Sequence, residues 1–480
     1  MQCYSKEKSL NSLPVELLIK IIKQMDLISL LEFRKTNKIA NEIFKQSDEY
    51  LLLKYNLTSR YNLLYLYVDY NSTTKEKITT YYEKIYNEKE ITVDNKKIKE
   101  LPFLPNVENL VCFNNQLKRL PDGMTSLKKL DCRNNQLMEL PSGLTSLEQL
   151  YCRNNQLTGL PSGLTSLEKL HCENNQLIRL LDGMTSLVNL NCFGNQLVRL
   201  PGGMTSLETL RCSHNQLTSL PDDMNSLKVL YCFGNLLTRL PNGMSSLEEL
   251  YCRNNQLDRL PNGMSSLIRL ICSDNQLTRL SENTTKSLET IYCQNNQLTS
   301  LPEDTTSLKK LDCRNNQLTE LPSGLSSLEE LYCVNNQLTS LPDNMYSLGT
   351  IYCQNNQLTS LPDNMYSLKE LRCQSNHLTK LPGGMVNLNM IICENNQLTK
   401  LPDDMKSLEY LNCENNQLTK LPDDMKSLRY LNCKNNQLTK LPDDMKSLRY
   451  LNCSNNQLTK LPRGLTSIEK LYWHNNPGNL

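Results

Sequence analysis

Several common classes are excluded by what the sequence has little of. Gly and Pro number 17 and 20 in 480 residues, too few for a collagen-like or flexible low-complexity chain. No stretch approaches the roughly 18 uninterrupted apolar residues that a membrane span needs. The N-terminus, MQCYSKEKSLNSLPVE, lacks the apolar centre of a secretory signal. Net charge is only +2, so the chain as a whole makes no electrostatic case for nucleic acid or anionic lipid. Residues 1–100 hold 17 Lys+Arg against 14 Asp+Glu, so charge is not segregated either. His is rare, with His171, His214, His377 and His474 scattered, and Trp473 is the single Trp.

Length alone suggests about three domains, but a repeat overrides it. From Leu101 onward the chain recurs every 20 residues in 19 units, the last opening at Leu461. LPDDMKSLRYLNCKNNQLTK, from Leu421, differs from its successor only by Ser454 in place of Lys434. The unit at 280 is one residue longer than the others and lacks the usual Pro, which predicts a bulge on its outer side. Each unit contains SLxxLxCxxNQL, which resembles the leucine-rich-repeat signature LxxLxLxxNxL. The residues supply the mechanics. Leu130 and Cys132 lie two apart and point the same way from a short strand. Leu127, Leu137 and Met124 complete an apolar set that one unit cannot bury alone. Strands of successive units are expected to pair in parallel, about 4.8 Å apart. Asn135 and its equivalents fall where the chain leaves the strand, where a buried carboxamide can donate and accept from unit to unit. Pro121, Pro141 and Pro161 favour an extended outer wall over a long helix. Upstream, Ile91, Val93, Ile98 and Leu101 repeat the inward spacing with Lys96 in the Asn place, so 91–100 reads as a degenerate cap. At the far end Trp473 replaces the Cys, leaving a poorly covered edge.

Of 19 cysteines, 18 occupy the same inward place. Neighbouring strands would bring their α carbons within disulfide range. Yet the side chains run parallel inside a core, with no CxxC pair and no regular His partner. They read as small buried hydrophobes in a reducing compartment, which makes the glycosylation matches at Asn56 and Asn283 accidental. Twelve of the 16 Met share one inward slot and read as gap-fillers. No metal, cofactor or catalytic residue is expected. The outer pairs Asp403–Asp404 and Asp423–Asp424, with Lys406 and Lys426, read as solvated stripes.

Residues between the buried ones face the concave side of the expected solenoid. Just before the Cys stand Tyr151, Tyr231, Tyr251, Tyr292, Tyr332, Tyr352 and Tyr472; three before it, Tyr410, Tyr430 and Tyr450. Just after it stand Arg133, Arg153, Arg253 and Arg314, with Phe113, Phe193 and Phe233. These types are enriched at interface hot spots. Of them, Tyr151, Tyr231, Tyr251, Tyr292, Tyr332, Tyr352, Arg133, Arg153, Arg253 and Arg314 are the expected substrate-binding residues. Stacked Tyr also stabilise neighbouring strands, so part of this face is structural. Glu249, Glu330, Glu370, Glu394 and Glu414 among them argue against single-stranded nucleic acid.

Residues 1–100 show helical spacing instead. Pro14 sits near a helix start, and Leu17, Leu18, Ile21, Ile22 and Met25 form one apolar face. Asp26 can cap a second helix carrying Leu27, Leu30, Leu31, Phe33 and Ile39. Leu13-Pro14-x-Glu16-Leu17-Leu18-x-x-Ile21, with Asp26 and Leu30-Leu31, resembles an F-box over residues 9–48. The usual Val-Cys-Lys-x-Trp region reads Thr36-Asn37-Lys38-Ile39-Ala40, keeping the Lys and lacking the Trp. The resemblance implies docking on a Skp1-like adaptor of a cullin ubiquitin ligase through Leu13, Pro14, Leu17, Leu18, Ile21 and Leu30. Residues 49–90 read as an aromatic helical linker. The NNQLTxLP units joined to a Lys/Asn/Ile-rich F-box also resemble, in style, proteins of giant DNA viruses of amoebae.

The expected fold class is α+β: a small helical F-box-like domain, then a leucine-rich-repeat solenoid with a parallel sheet on its concave face. The expected role is a non-enzymatic substrate receptor in the cytoplasm, a host's if viral, without nucleic-acid or membrane partners. The alternative is a stand-alone repeat protein that binds or scaffolds without a ligase link. An enzyme is the third option, because bacterial effectors with similar repeats carry a catalytic-Cys ligase domain after them. Repeats running to the last residues argue against that here.

Overall fold

The computed structural model describes Ile85 and residues 88–280, 287–303 and 305–479. The chain divides into two units, residues 1–167 with 174–176, and residues 168–173 with 177–480. The F-box-like segment, all but the last few residues of the linker expected at 49–90 and the expected bulge at 281–286 lie outside the described residues; Glu90, at the end of that expected linker, instead opens a strand.

The first unit contains β1 (Glu90–Thr92), β2 (Asn109–Val111), β3 (Lys129–Asp131) and β4 (Gln149–Tyr151). Consecutive strands pair in parallel and in register, Ile91 opposite Leu110 and Leu110 opposite Leu130. Ile91, Val93, Ile98 and Leu101 are all buried, so residues before the first regular repeat already form a coil with its own strand. The second unit runs from β5 (Lys169–His171) to β20 (Lys470–Tyr472) in the same parallel pattern. Across the 21-residue step from Leu270 to Ile291 the register survives the extra residue. Among the described residues there is no α-helix; turns and extended segments form the outer wall, and Pro477–Asn479 makes one 3-10 turn. The α part of the expected α+β class falls on residues outside the described ones.

One coil, residues 321–340, shows why 20 residues suffice. Leu325, Leu328, Leu331 and Cys333 are fully buried, with Leu321 nearly so. Extended backbone sends alternate side chains to opposite sides, so Glu330 and Tyr332 emerge where Leu331 and Cys333 go inward. The inward slots stack on the same slots of neighbouring coils, and one of them, filled by Leu325 here, holds Met in most coils, as at Met345 and Met365.

Two ladders of asparagine close the turn. The Asn336 amide donates to the carbonyls of Cys313 (3.0 Å) and Cys333 (3.2 Å), and its Oδ1 accepts from the Leu318 N–H (3.0 Å). Asn135 makes the same set with Cys112, Cys132 and Leu117. Backbone groups that leave the sheet are thereby satisfied one coil back. The preceding Asn does different work. Asn134, Asn335 and Asn455 have φ near +54°, a left-handed conformation that Asn tolerates better than most side chains. Their exposed amides hydrogen-bond in sequence, Asn335 to Asn315 at 2.6 Å and Asn355 to Asn335 at 2.7 Å.

The last strand departs from this pattern. Leu471 and Tyr472 on β20 are 39% and 46% exposed, where Leu451 one coil earlier is fully buried.

Candidate functional site

Sheet geometry places every expected Tyr at the end of a strand and every expected Arg two residues farther, on the same side of the sheet. None is buried; Arg153 and Arg253 are exposed and the others half-buried. The face is nonetheless not uniform. It sorts them into local clusters.

In the first unit Arg133 is clamped by Asp131 through two hydrogen bonds, 2.8 and 2.6 Å, and lies 5.3 Å from the Phe113 ring and 5.9 Å from Tyr151. In the second unit Tyr231 stacks on Tyr251, rings 4.1 Å apart and nearly parallel. Burial, helped by its hydroxyl partner Tyr251, pushes the Tyr231 phenol up to about 12. Arg253 covers Phe233 at 4.9 Å, and His214 packs edge-on between Phe193 and Phe233. Among the described residues, Tyr292 and Arg153 join none of these ring clusters.

The most connected cluster spans β12 (Lys310–Asp312), β13 (Glu330–Tyr332), β14 (Thr350–Tyr352) and β15 (Glu370–Arg372). Arg314 is held by Asp312 at 2.8 and 2.6 Å, with its guanidinium 5.7 Å from the Tyr332 ring. Tyr332 meets Tyr352 edge-on at 5.0 Å. The Tyr352 hydroxyl donates to Glu370 (2.8 Å), which also accepts from Arg372 (2.8 Å). Arg372 in turn covers the Tyr352 ring at 4.4 Å. Lys310 closes the other flank on Glu330 at 2.7 Å, to which the Tyr332 hydroxyl donates at 3.3 Å. Burial, and then Glu370, pushes the Tyr352 phenol up to about 12, so it stays a donor at neutral pH. Side chains so interlocked are pre-ordered, which lowers the entropy lost when a partner binds.

Sequence reading missed the residues that do the holding: Asp131, Asp312, Glu370, Arg372 and Lys310. A signal was present. Asp-Cys-Arg occurs at 131–133 and at 312–314, and residues two apart on a strand emerge together, so each Asp must meet its Arg. Tyr410, Tyr430 and Tyr450 lie outside this cluster and stack on one another at 4.2 and 4.4 Å.

Two surface depressions stand out. One, of about 580 Å³, lies on the outer wall between Arg199, Gly202, Leu220 and Asp223. The other, of about 540 Å³, adjoins the β12–β15 cluster and shares Glu330 with it; Ser347, Gly349, Thr350 and Lys369 also line it. The cysteines among the described residues offer no reactive group. All 18 in the repeats are free and buried, and desolvation pushes thiols such as those of Cys252 and Cys353 up to about 12. No group of three His, Cys, Asp or Glu among the described residues is placed to hold a metal ion. No helix among them is long and apolar enough to cross a membrane.

Comparison with known proteins agrees with this geometry. A two-copy leucine-rich-repeat model matches residues 145–184, 306–344, 406–446 and 426–467, and a single-repeat model matches 126–147 and 206–227. An F-box domain model matches residues 10–52. Among solved structures, YopM from Yersinia enterocolitica WA-314 is 30% identical, covering 84% of this chain and 96% of its own, with a TM-score of 0.67. The Arabidopsis receptor kinase HAESA, solved with the peptide hormone IDA and the co-receptor SERK1, shares the fold at 24% identity over 77% of this chain and 73% of its own, TM-score 0.62. The plant peptide hormone receptor RGFR1, solved with RGF2, does so at 22% identity, 81% and 80% coverage and TM-score 0.59. No curated protein matches the sequence, so the resemblance in style to giant-virus proteins has no relative behind it. The chain belongs to the leucine-rich-repeat proteins and carries an F-box domain ahead of its repeats.

Proposed function

We propose that the chain is a non-enzymatic substrate receptor of a Skp1–cullin–F-box ubiquitin ligase. The F-box domain docks on a Skp1-like adaptor, and the strand face of the repeats holds the protein to be ubiquitinated. The observation that carries this reading is the joining, in one chain, of an F-box at residues 10–52 to a repeat array whose exposed face is rich in Tyr and Arg. F-box domains generally bind Skp1, and leucine-rich repeats generally bind proteins. The adaptor contacts on this reading are Leu13, Pro14, Leu17, Leu18, Ile21 and Leu30. The substrate contacts are the Tyr and Arg residues of the strand face, from Arg133 to Tyr352. Eighteen free thiols suit the reducing cytoplasm, a host's cytoplasm if the viral resemblance holds.

Mixing the full-length chain with recombinant Skp1 tests the reading. Stable capture is expected, with Leu17→Asp weakening it at least about tenfold while far-ultraviolet circular dichroism is unchanged. Absence of capture, or indifference to Leu17→Asp, rejects it. A second reading, a repeat protein that binds without a ligase link, is favoured by one observation: Thr36-Asn37-Lys38-Ile39-Ala40 lacks the aromatic residue of the F-box pattern.

A further inference from the structure

The residue just before each strand forms a column on the exposed surface, and in the second unit that column is mostly charged. Lys228 pairs with Glu208 and Lys309 with Glu289, both at 3.1 Å, and Arg429 with Glu409 at 3.5 Å. At Gly349 the column has no side chain. On the next position Thr350 stands between Glu330 and Glu370. Two short residues in succession open the depression of about 540 Å³.

The fold does not force this gap. Gly349 has no left-handed backbone, and a Cβ added there would lie 3.7 Å from the nearest atom, the Glu329 carbonyl oxygen, an ordinary contact. A Cβ fits there, and Gly before a strand costs conformational entropy. Comparison of neighbouring coils sharpens the point. Residues 341–348 and 361–368 are identical, LPDNMYSL. The copies then part at four successive positions, Gly-Thr-Ile-Tyr at 349–352 against Lys-Glu-Leu-Arg at 369–372. The outer wall is retained and the strand is rewritten, which is where a bound molecule would touch.

The walls of the depression differ in charge. Glu329 and Lys369 flank Gly349, one strand away on either side, about 9.5 Å apart at ordinary strand spacing. Both are exposed, and neither has an ion-pair partner among the described residues. Glu330 and Glu370, by contrast, are already engaged by Lys310 and Arg372. Ser347, Ser367 and Asn387 add polar lining.

We infer that the Gly349 depression seats a polypeptide segment of the protein partner that presents a basic side chain to Glu329 and an acidic one to Lys369, anchored beside Tyr332 and Tyr352. This rests on the reading of the strand face as a protein-binding surface and adds the chemistry of what it takes. The test uses the full-length chain and a displayed library of random dodecapeptides. Selected peptides are expected to carry one acid and one base at a recurring separation. Gly349→Lys should weaken them at least about tenfold, and Gly349→Ala should leave them within about twofold. The double variant Glu329→Lys with Lys369→Glu should prefer peptides whose two charges are exchanged. Failure to select such peptides, or equal affinity for wild type and Gly349→Lys at unchanged melting temperature, overturns the inference. Skp1 capture by the wild-type chain separates the two failures: capture without any such selected peptides sinks the depression alone, and selected peptides without capture sink the ligase reading alone.

Discussion

Asn336 concentrates the chemistry of the turn in one side chain, because four backbone groups bond to it. Asn336→Ala should therefore cost about 3 kcal/mol in urea unfolding, the scale of buried polar groups left unpaired. Hydrogen exchange at the Leu318 amide should accelerate with it; a cost below about 0.5 kcal/mol would mean that water replaces the carboxamide. The buried thiols make a prediction about pH. Burial raises their folded pKa, so they stay protonated in the fold while the unfolded chain releases its protons near 8.5–9. The stability concerned is fully present below that range and is lost as pH rises towards the folded values, by roughly 1.4 kcal/mol per pH unit for each such thiol. Melting temperature should fall steeply above about pH 9, and thiolate absorbance should appear only with unfolding. At this scale the sequence was half readable. The second Asn of each pair announces itself by its fixed distance from the Cys. The first Asn answers to a backbone angle, and its only trace is the glycine that replaces it at 194 and 234.

Strands of three residues are too short to stand alone, and the aromatic rows show how neighbours are tied. Tyr410, Tyr430 and Tyr450, on three consecutive strands, stack within about 6° of parallel. Their ring faces are occupied by each other, so this row holds coils together, whereas Tyr332 and Tyr352 meet edge-on and turn ring surface to Arg314 and Arg372. Tyr430→Ala should cost about 2 kcal/mol and Tyr430→Phe much less; equal costs by urea denaturation would assign the effect to the hydroxyls. Strand spacing, inward slots and the degenerate first coil could be read from periodicity, because each follows from burying every second residue. The Arg clamps required pairing Asp312 with Arg314 across a Cys. The Gly349 gap required comparing columns between coils, since nothing within its own coil looks unusual.

Contacts in such an array are made mainly with adjacent coils, so cooperativity is limited by each interface in turn. Leu331→Ala should cost about 3 kcal/mol and make the interface at its coil the weakest. Urea transitions followed by Trp473 fluorescence and by circular dichroism should then separate, although they coincide in the parent. Coincident transitions in the variant would show that the coils unfold as one body. The F-box could be recognised from its Leu-Pro and paired leucines because its pattern is local, whereas its partner's identity depends on a surface assembled from many coils. Each structural carboxamide reaches back by one coil and no farther. A whole coil could therefore be spliced in or out between residues 421–440 and 441–460 with every donor still meeting its acceptor. In such a molecule length is a nearly free variable, and a new partner can be accommodated by insertion where most folds would need to be redrawn.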